Sequence, residues 1–124
     1  MKKIITISVL MCLFIMSCSY FITEKYEEPV IEKVVKDYIN QKNVEHVFVI
    51  DNNSSDNTAK IAESCGATVI RKNKNMGYAH SCVMGLKKSL ETDVNIIALT
   101  EADGTYAGKD LEKMVPYIEN ADMV

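Results

Sequence analysis

The 124-residue chain is poor in the features that most simply assign a function. Its four cysteines, Cys12, Cys18, Cys65 and Cys82, include no C-x-x-C pair and stand at no zinc-like spacing from His46 or His80. That pattern argues against a disulfide framework or a metal knuckle and leaves reduced, mostly buried thiols. The two histidines are isolated and receive no role. A formal charge of −3 gives no basic footprint for nucleic acid. No internal repeat and no low-complexity linker divides the chain. What is present is an ordinary globular balance, 48% hydrophobic and 25% charged, at a length that supports one domain with a real core.

The N-terminus supports several readings. "MKK" precedes residues 4–22, which carry no charge. That length just suffices to span a bilayer. It also has the form of a signal sequence, with a basic start and a small residue before Cys18. "IMSC" resembles a lipoprotein cleavage box, although Met16 fits it poorly. A buried first strand within Ile4 to Met11 is the alternative.

From residue 29 the pattern sharpens. Val30, Ile31, Val34, Val35, Tyr38 and Ile39 recur at helical spacing, and Pro29 suits a first helical turn. "HVFVI", 46–50, predicts a buried strand. "DNNSSDNT" predicts a turn with helix caps. Ile61, Ala62 and Cys65 predict a helix that Gly66 stops. "ATVI", 67–70, predicts a strand, and "RKNKNMG" a polar loop. Ala79, Cys82, Val83, Leu86 and Leu90 mark a further helix. "VNIIALT", 94–100, predicts another strand. Leu111, Met114, Val115 and Ile118 mark the last helix, and "DMV" is expected to open a new strand.

Alternating strands and helices build a parallel sheet covered on both faces, with right-handed crossovers. Ligands of such sheets bind beyond the carboxyl ends of the strands. Two acidic loops leave such ends: Asp51 after "HVFVI", and Glu101 with Asp103 after "VNIIALT". Carboxylate oxygens suit Mg²⁺ or Mn²⁺, which also bind ligand phosphates. Asp51 and Asn52 offer acceptors and an amide for a base or ribose. "NKNMGYA" brings Gly77 to a helix start, where backbone N–H groups meet phosphates. Each feature taken alone is more simply a helix cap or a turn. Their convergence at one sheet edge predicts a site.

"VFVIDNNSSDNTAKIAESCGATVI", "NKNMGYAHSCVMGLKKSL" and "NIIALTEADGTYAGKDLEKMVPYI" together resemble the donor-binding half of a family 2 glycosyltransferase of the GT-A type. "ADGTY" is most similar to the polyprenyl-phosphate, dolichol-phosphate mannosyltransferase-like branch. The resemblance implies a Rossmann-like α/β fold over residues 26–124, after an apolar N-terminal segment 1–25. It implies a nucleotide diphosphate sugar donor, a divalent Mg²⁺ or Mn²⁺, and a polyprenyl-phosphate or glycan acceptor. Asp51 matches the nucleotide-contacting acid. Asp103 matches the second Asp of the metal-binding D-x-D, and Glu101 stands at the first, for the metal or the ribose. Tyr26 and Glu28 match the end of the family's first loop, and Gly77 and Gly85 match glycines framing the third helix. Asn52 and Asn75 join the implied nucleotide-sugar contacts.

The departures are specific. Glu101 replaces Asp, Asn52 stands where many members have a second Asp, and Cys82 stands where many have a phosphate-binding Arg. The first loop is interrupted between Cys12 and Lys25. The implied acceptor half and any catalytic base fall after Val124, so the expectation is a truncated chain that binds donor weakly and is inactive alone. Cytoplasmic placement with membrane association is expected, because donor nucleotides are cytosolic and lipid-phosphate acceptors are what the resemblance implies. An exported or lipid-anchored non-enzymatic domain is the alternative. "EADGT" also resembles the nucleophile motif of haloacid-dehalogenase-like phosphatases, but Glu101 occupies the attacking Asp's place.

Overall fold

The computed structural model describes residues 6–9 and 28–124. Their elements run β1 (Thr6–Val9), α1 (Glu28–Ile39), β2 (His46–Asp51), α2 (Thr58–Ser64), β3 (Thr68–Arg71), α3 (Tyr78–Leu90), β4 (Ile97–Thr100) and α4 (Asp110–Met114). A 3₁₀ turn, Val115–Glu119, extends α4. The strands form one parallel sheet in the order β3-β2-β1-β4. β1 thus falls inside the segment for which a first strand was one of the expectations.

Side-chain alternation explains why helices cover both faces. Val47 and Val49 of β2 cluster with Ile31, Val34, Val35 and Tyr38 of α1 and with Ala62 of α2. The intervening Phe48 and Ile50 are also buried, and strand geometry turns them to the opposite face. There α3 lies against β1, β2 and β4. The observed bounds of α1, β2 and α3 lie within two residues of those read from periodicity.

Four local expectations need correction. The apolar spacing of α3 does not face the sheet: Val83, Leu86 and Leu90 are exposed, and Ser81, Gly85 and Ser89 are buried. Small residues let the helix approach the sheet closely, and its larger apolar side chains turn outward. β4 is less buried than "VNIIALT" suggested, with Leu99 exposed, because it is an edge strand among the described residues. Residues 122–124 are irregular and form no strand. The thiols of Cys65 and Cys82 are free but only half-buried.

The order β3-β2-β1-β4 places a reversal in the chain's path between β1 and β4. The first two crossovers move outward from β1, and α3 returns the chain to the other side of β1. In open parallel sheets that reversal leaves a crevice at the carboxyl ends of the strands.

Candidate functional site

Two loop systems border this crevice. β1 separates β2 from β4, so their ends stand two strand spacings, about 10 Å, apart. Register places Val9 level with both Val49 and Thr100. The acids that follow therefore leave the same edge of the sheet.

The first system is built on β2 and β3. Asp51 is fully buried. Its Oδ1 accepts hydrogen bonds from the Ser54 backbone N–H at 2.8 Å and from Ser54 Oγ at 2.5 Å. Its Oδ2 lies 3.2 Å from Arg71 Nε but receives no hydrogen bond. The distance makes an ion pair and the angle denies it a hydrogen bond, leaving a buried oxygen with unused acceptor capacity. Arg71 instead donates to the Ser54 carbonyl at 2.9 Å.

Asn52 is 1% exposed. Its Nδ2 donates to Asn75 Oδ1 at 2.6 Å, and its Oδ1 accepts from the Met76 N–H at 3.1 Å. Asn75 Oδ1 also accepts from the Gly77 N–H at 2.9 Å. Gly77 sits at the N-cap of α3 with φ +83°, a conformation that favours glycine. A Cβ there would meet nothing within 4 Å. Space therefore lies open over this helix start.

The second system follows β4. Glu101 and Asp103 are both exposed, and Ala102 between them is buried in the core cluster. The loop is thus anchored by its middle residue and presents an acid on either side. Asp103 Oδ1 accepts from the Thr105 N–H at 2.8 Å, across Gly104 with φ +82°. A Cβ on Gly104 would stand 3.2 Å from Val30 Cγ1, so α1 supports the turn from beneath.

The C-terminal end of α1 grips the flanks of this acidic loop. The Tyr38 hydroxyl shares a 2.9 Å hydrogen bond with Thr100 Oγ1, just before Glu101. It also lies 3.4 Å from the Tyr106 carbonyl, beyond Asp103. Asp37 Oδ2 accepts from the Gly108 N–H at 2.6 Å. Burial pushes the Tyr38 phenol above its usual pKa; the nearby Asp37 and Asp110 carboxylates add to the rise, and the hydrogen bond with Thr100 opposes it.

The donor set fits a hard divalent cation. Glu101 and Asp103 supply oxygens only, and no group of three His, Cys, Asp or Glu side chains gathers among the described residues. Two carboxylates leave coordination positions for waters and ligand phosphates, which is the habit of Mg²⁺.

The predicted residues therefore fall into two groups on one edge. Asp51, Asn52, Asn75 and Gly77 are brought together, and Glu101 and Asp103 form the second group. Tyr26 lies outside the described residues, and Glu28 opens α1. Both ends of the Asn52 amide and the Asn75 oxygen are engaged with each other and with the Met76 and Gly77 N–H groups. Sequence reasoning missed Asp37, Tyr38 and Lys72. Lys72 is buried, and its Nζ donates to Ser81 Oγ at 2.6 Å. Ser81 Oγ in turn donates to the Gly77 carbonyl at 3.2 Å. A hydroxyl at a core position of α1 was the available signal for Tyr38, since buried Tyr hydroxyls usually find a partner.

Fold and site together define a doubly wound α/β domain with an acidic pair at its topological switch point. The chain belongs to glycosyl transferase family 2, whose family model matches residues 19–124. Its sheet and crossovers agree with the GT-A, Rossmann-like fold, and it is a glycosyltransferase-like protein. It is 27% identical over 121 residues to a UDP-N-acetylglucosamine–dolichyl-phosphate N-acetylglucosaminyltransferase of Methanococcus voltae, covering 82% of this chain and 47% of that protein. It is 29% identical over 106 residues to protein RfbJ of Shigella flexneri, covering 79% and 74%. It is 32% identical over 99 residues to a 4,4'-diaponeurosporenoate glycosyltransferase of Staphylococcus aureus, covering 76% and 26%. The chain thus spans about half of the Methanococcus protein and a quarter of the Staphylococcus one.

Proposed function

We propose that this chain forms the donor-binding part of a transferase that moves a sugar from a nucleoside diphosphate to an acceptor. The observation that carries the reading is the pair of exposed acids, Glu101 and Asp103, on the loop at the switch point, beside the Asp51 and Gly77 loops at the same sheet edge. The nucleoside occupies the Asp51 side, and the diphosphate lies between the start of α3 and the acidic loop. Asp103 and Glu101 hold Mg²⁺ or Mn²⁺ with the diphosphate. A divalent ion in that place supplies charge stabilisation to the departing diphosphate.

The acceptor is a lipid phosphate or a glycan hydroxyl. The dolichyl phosphate in the Methanococcus relative's name favours the lipid phosphate. Such a phosphate is already anionic near neutral pH and needs little help from a base, whereas a hydroxyl needs one within hydrogen-bond reach. Among the described residues no helix is long and apolar enough to cross a membrane. Placement at the cytoplasmic side of a membrane follows from where donor and lipid acceptor would meet.

Calorimetry with Mn²⁺ and uridine or guanosine diphosphate tests the reading. Asp103→Ala is expected to lose about tenfold or more in affinity, equivalent to ~1.4 kcal/mol. Equal affinity in wild type and variant would remove Asp103 from the site.

A further inference from the structure

The Asn52–Asn75 pair joins two loops that are distant in sequence, and its donors and acceptors are fixed by the backbone. Met76 N–H donates to one end of Asn52, so that end is oxygen. Gly77 N–H donates to one end of Asn75, so that end is also oxygen. The remaining bond, Asn52 Nδ2 to Asn75 Oδ1 at 2.6 Å, then has one possible direction. In this arrangement Asn75 works through its oxygen alone, whereas Asn52 both donates and accepts.

Gly77 is held from both sides as a result. Asn75 receives its N–H, and Ser81, itself held by Lys72, donates to its carbonyl. The open helix start is set by this frame, because Gly77 itself offers no side chain.

We infer that Asn52 and Asn75 are positioning residues: a two-amide latch that holds the Gly77 turn in the shape that receives the donor's diphosphate. This rests on the donor-site reading above. The latch acts through Gly77, and neither amide needs to touch the ligand. It also accommodates an acid at either position singly. Asn75→Asp keeps every bond, since only an acceptor is required there. Asn52→Asp keeps the Met76 bond and the cross-loop contact if the Asn75 amide turns over, at the cost of the Gly77 N–H bond. Two acids together cannot bond across the loops unless they share a proton, and closely spaced carboxylates hold such a proton to higher pH.

The test compares wild type, Asn52→Asp, Asn75→Asp and the double variant. Exchange protection of the Met76 and Gly77 amides is measured by NMR, and affinity for uridine or guanosine diphosphate with Mn²⁺ is measured at pH 8 and pH 5. Asn75→Asp should keep wild-type protection at both amides, and Asn52→Asp should lose it at Gly77 only. At pH 8 the double variant should lose about tenfold or more in protection and in affinity, beyond the product of the single changes. At pH 5 its ratio to wild type should return to within about threefold. Recovery in the same protein separates an opened latch from a misfolded chain. A double variant equal to the product of the singles, or a loss that does not change with pH, overturns the latch. If wild type binds no nucleoside diphosphate, the donor-site reading fails, and the amide protection still decides whether the latch exists.

Discussion

Replacing Tyr38 by Phe removes one oxygen from the junction between α1 and the acidic loop. The ring stays, and so does its burial. What is lost is the bond with Thr100 Oγ1 and the longer approach to the Tyr106 carbonyl. A net hydrogen bond is worth about 1 kcal/mol. Thr100 is only half-buried, so water can reach its hydroxyl after the change, which keeps the cost near that figure. For a domain of this size the melting temperature should fall by roughly 3–5 °C. Tyr38→Ala, which also empties the ring's place in the core, should cost about 3–5 kcal/mol. The contrast separates hydroxyl from ring. pH supplies a second handle. The folded chain holds the phenol proton more tightly than the unfolded chain does. Tyr38's contribution is therefore complete below the unfolded value of about 10 and declines as pH rises through the folded one. Urea unfolding of wild type and Tyr38→Phe at pH 7 and at about pH 10.5 should show the gap between them narrowing. A Phe variant as stable as wild type at pH 7, or a gap that widens in alkali, would refute this account of the junction.

Gly108→Ala should destabilise by about 1–3 kcal/mol, read by thermal unfolding, because its Cβ would stand 2.9 Å from the Asp37 carbonyl, which is backbone and cannot swing aside. Leu90→Ser should change stability by less than about 0.5 kcal/mol, since Leu90 is 75% exposed. Ser89→Leu, one residue earlier on the buried face of the same helix, should cost about 1–3 kcal/mol in the same denaturant series.

α1 was legible because its apolar residues keep helical spacing on one buried face, and β2 because its unbroken apolar run is buried on both faces of the sheet. α3 was legible as a helix and misread as a surface. Periodicity reports where large apolar residues lie, and in α3 these face outward while serine and glycine face the sheet. No pattern based on hydrophobicity ranks Ser81, Gly85 and Ser89 as the inner side. The carboxylates of Asp51, Glu101 and Asp103 were legible because acids just past an apolar strand stand out against it. Their supports were not, since Asp37 and Tyr38 read as ordinary members of a helix until the fold carries α1 beneath the loop. Asn52 was visible as a polar residue in a turn. Its bonding to Asn75, 23 residues away, is a property of two loops meeting and has no signature in either one.

The ties on the acidic loop span 62, 68 and 71 residues of sequence. Closing loops of that length is entropically costly and comes late in assembly. During synthesis, Asp37 and Tyr38 emerge long before the groups they hold, and the acids remain untethered until β4 has docked beside β1. A peptide cut from residues 97–110 would carry both carboxylates and none of these restraints. The placement of Glu101 and Asp103 at the sheet edge thus belongs to the assembled sheet, and it should appear and disappear with global folding instead of melting as a local loop.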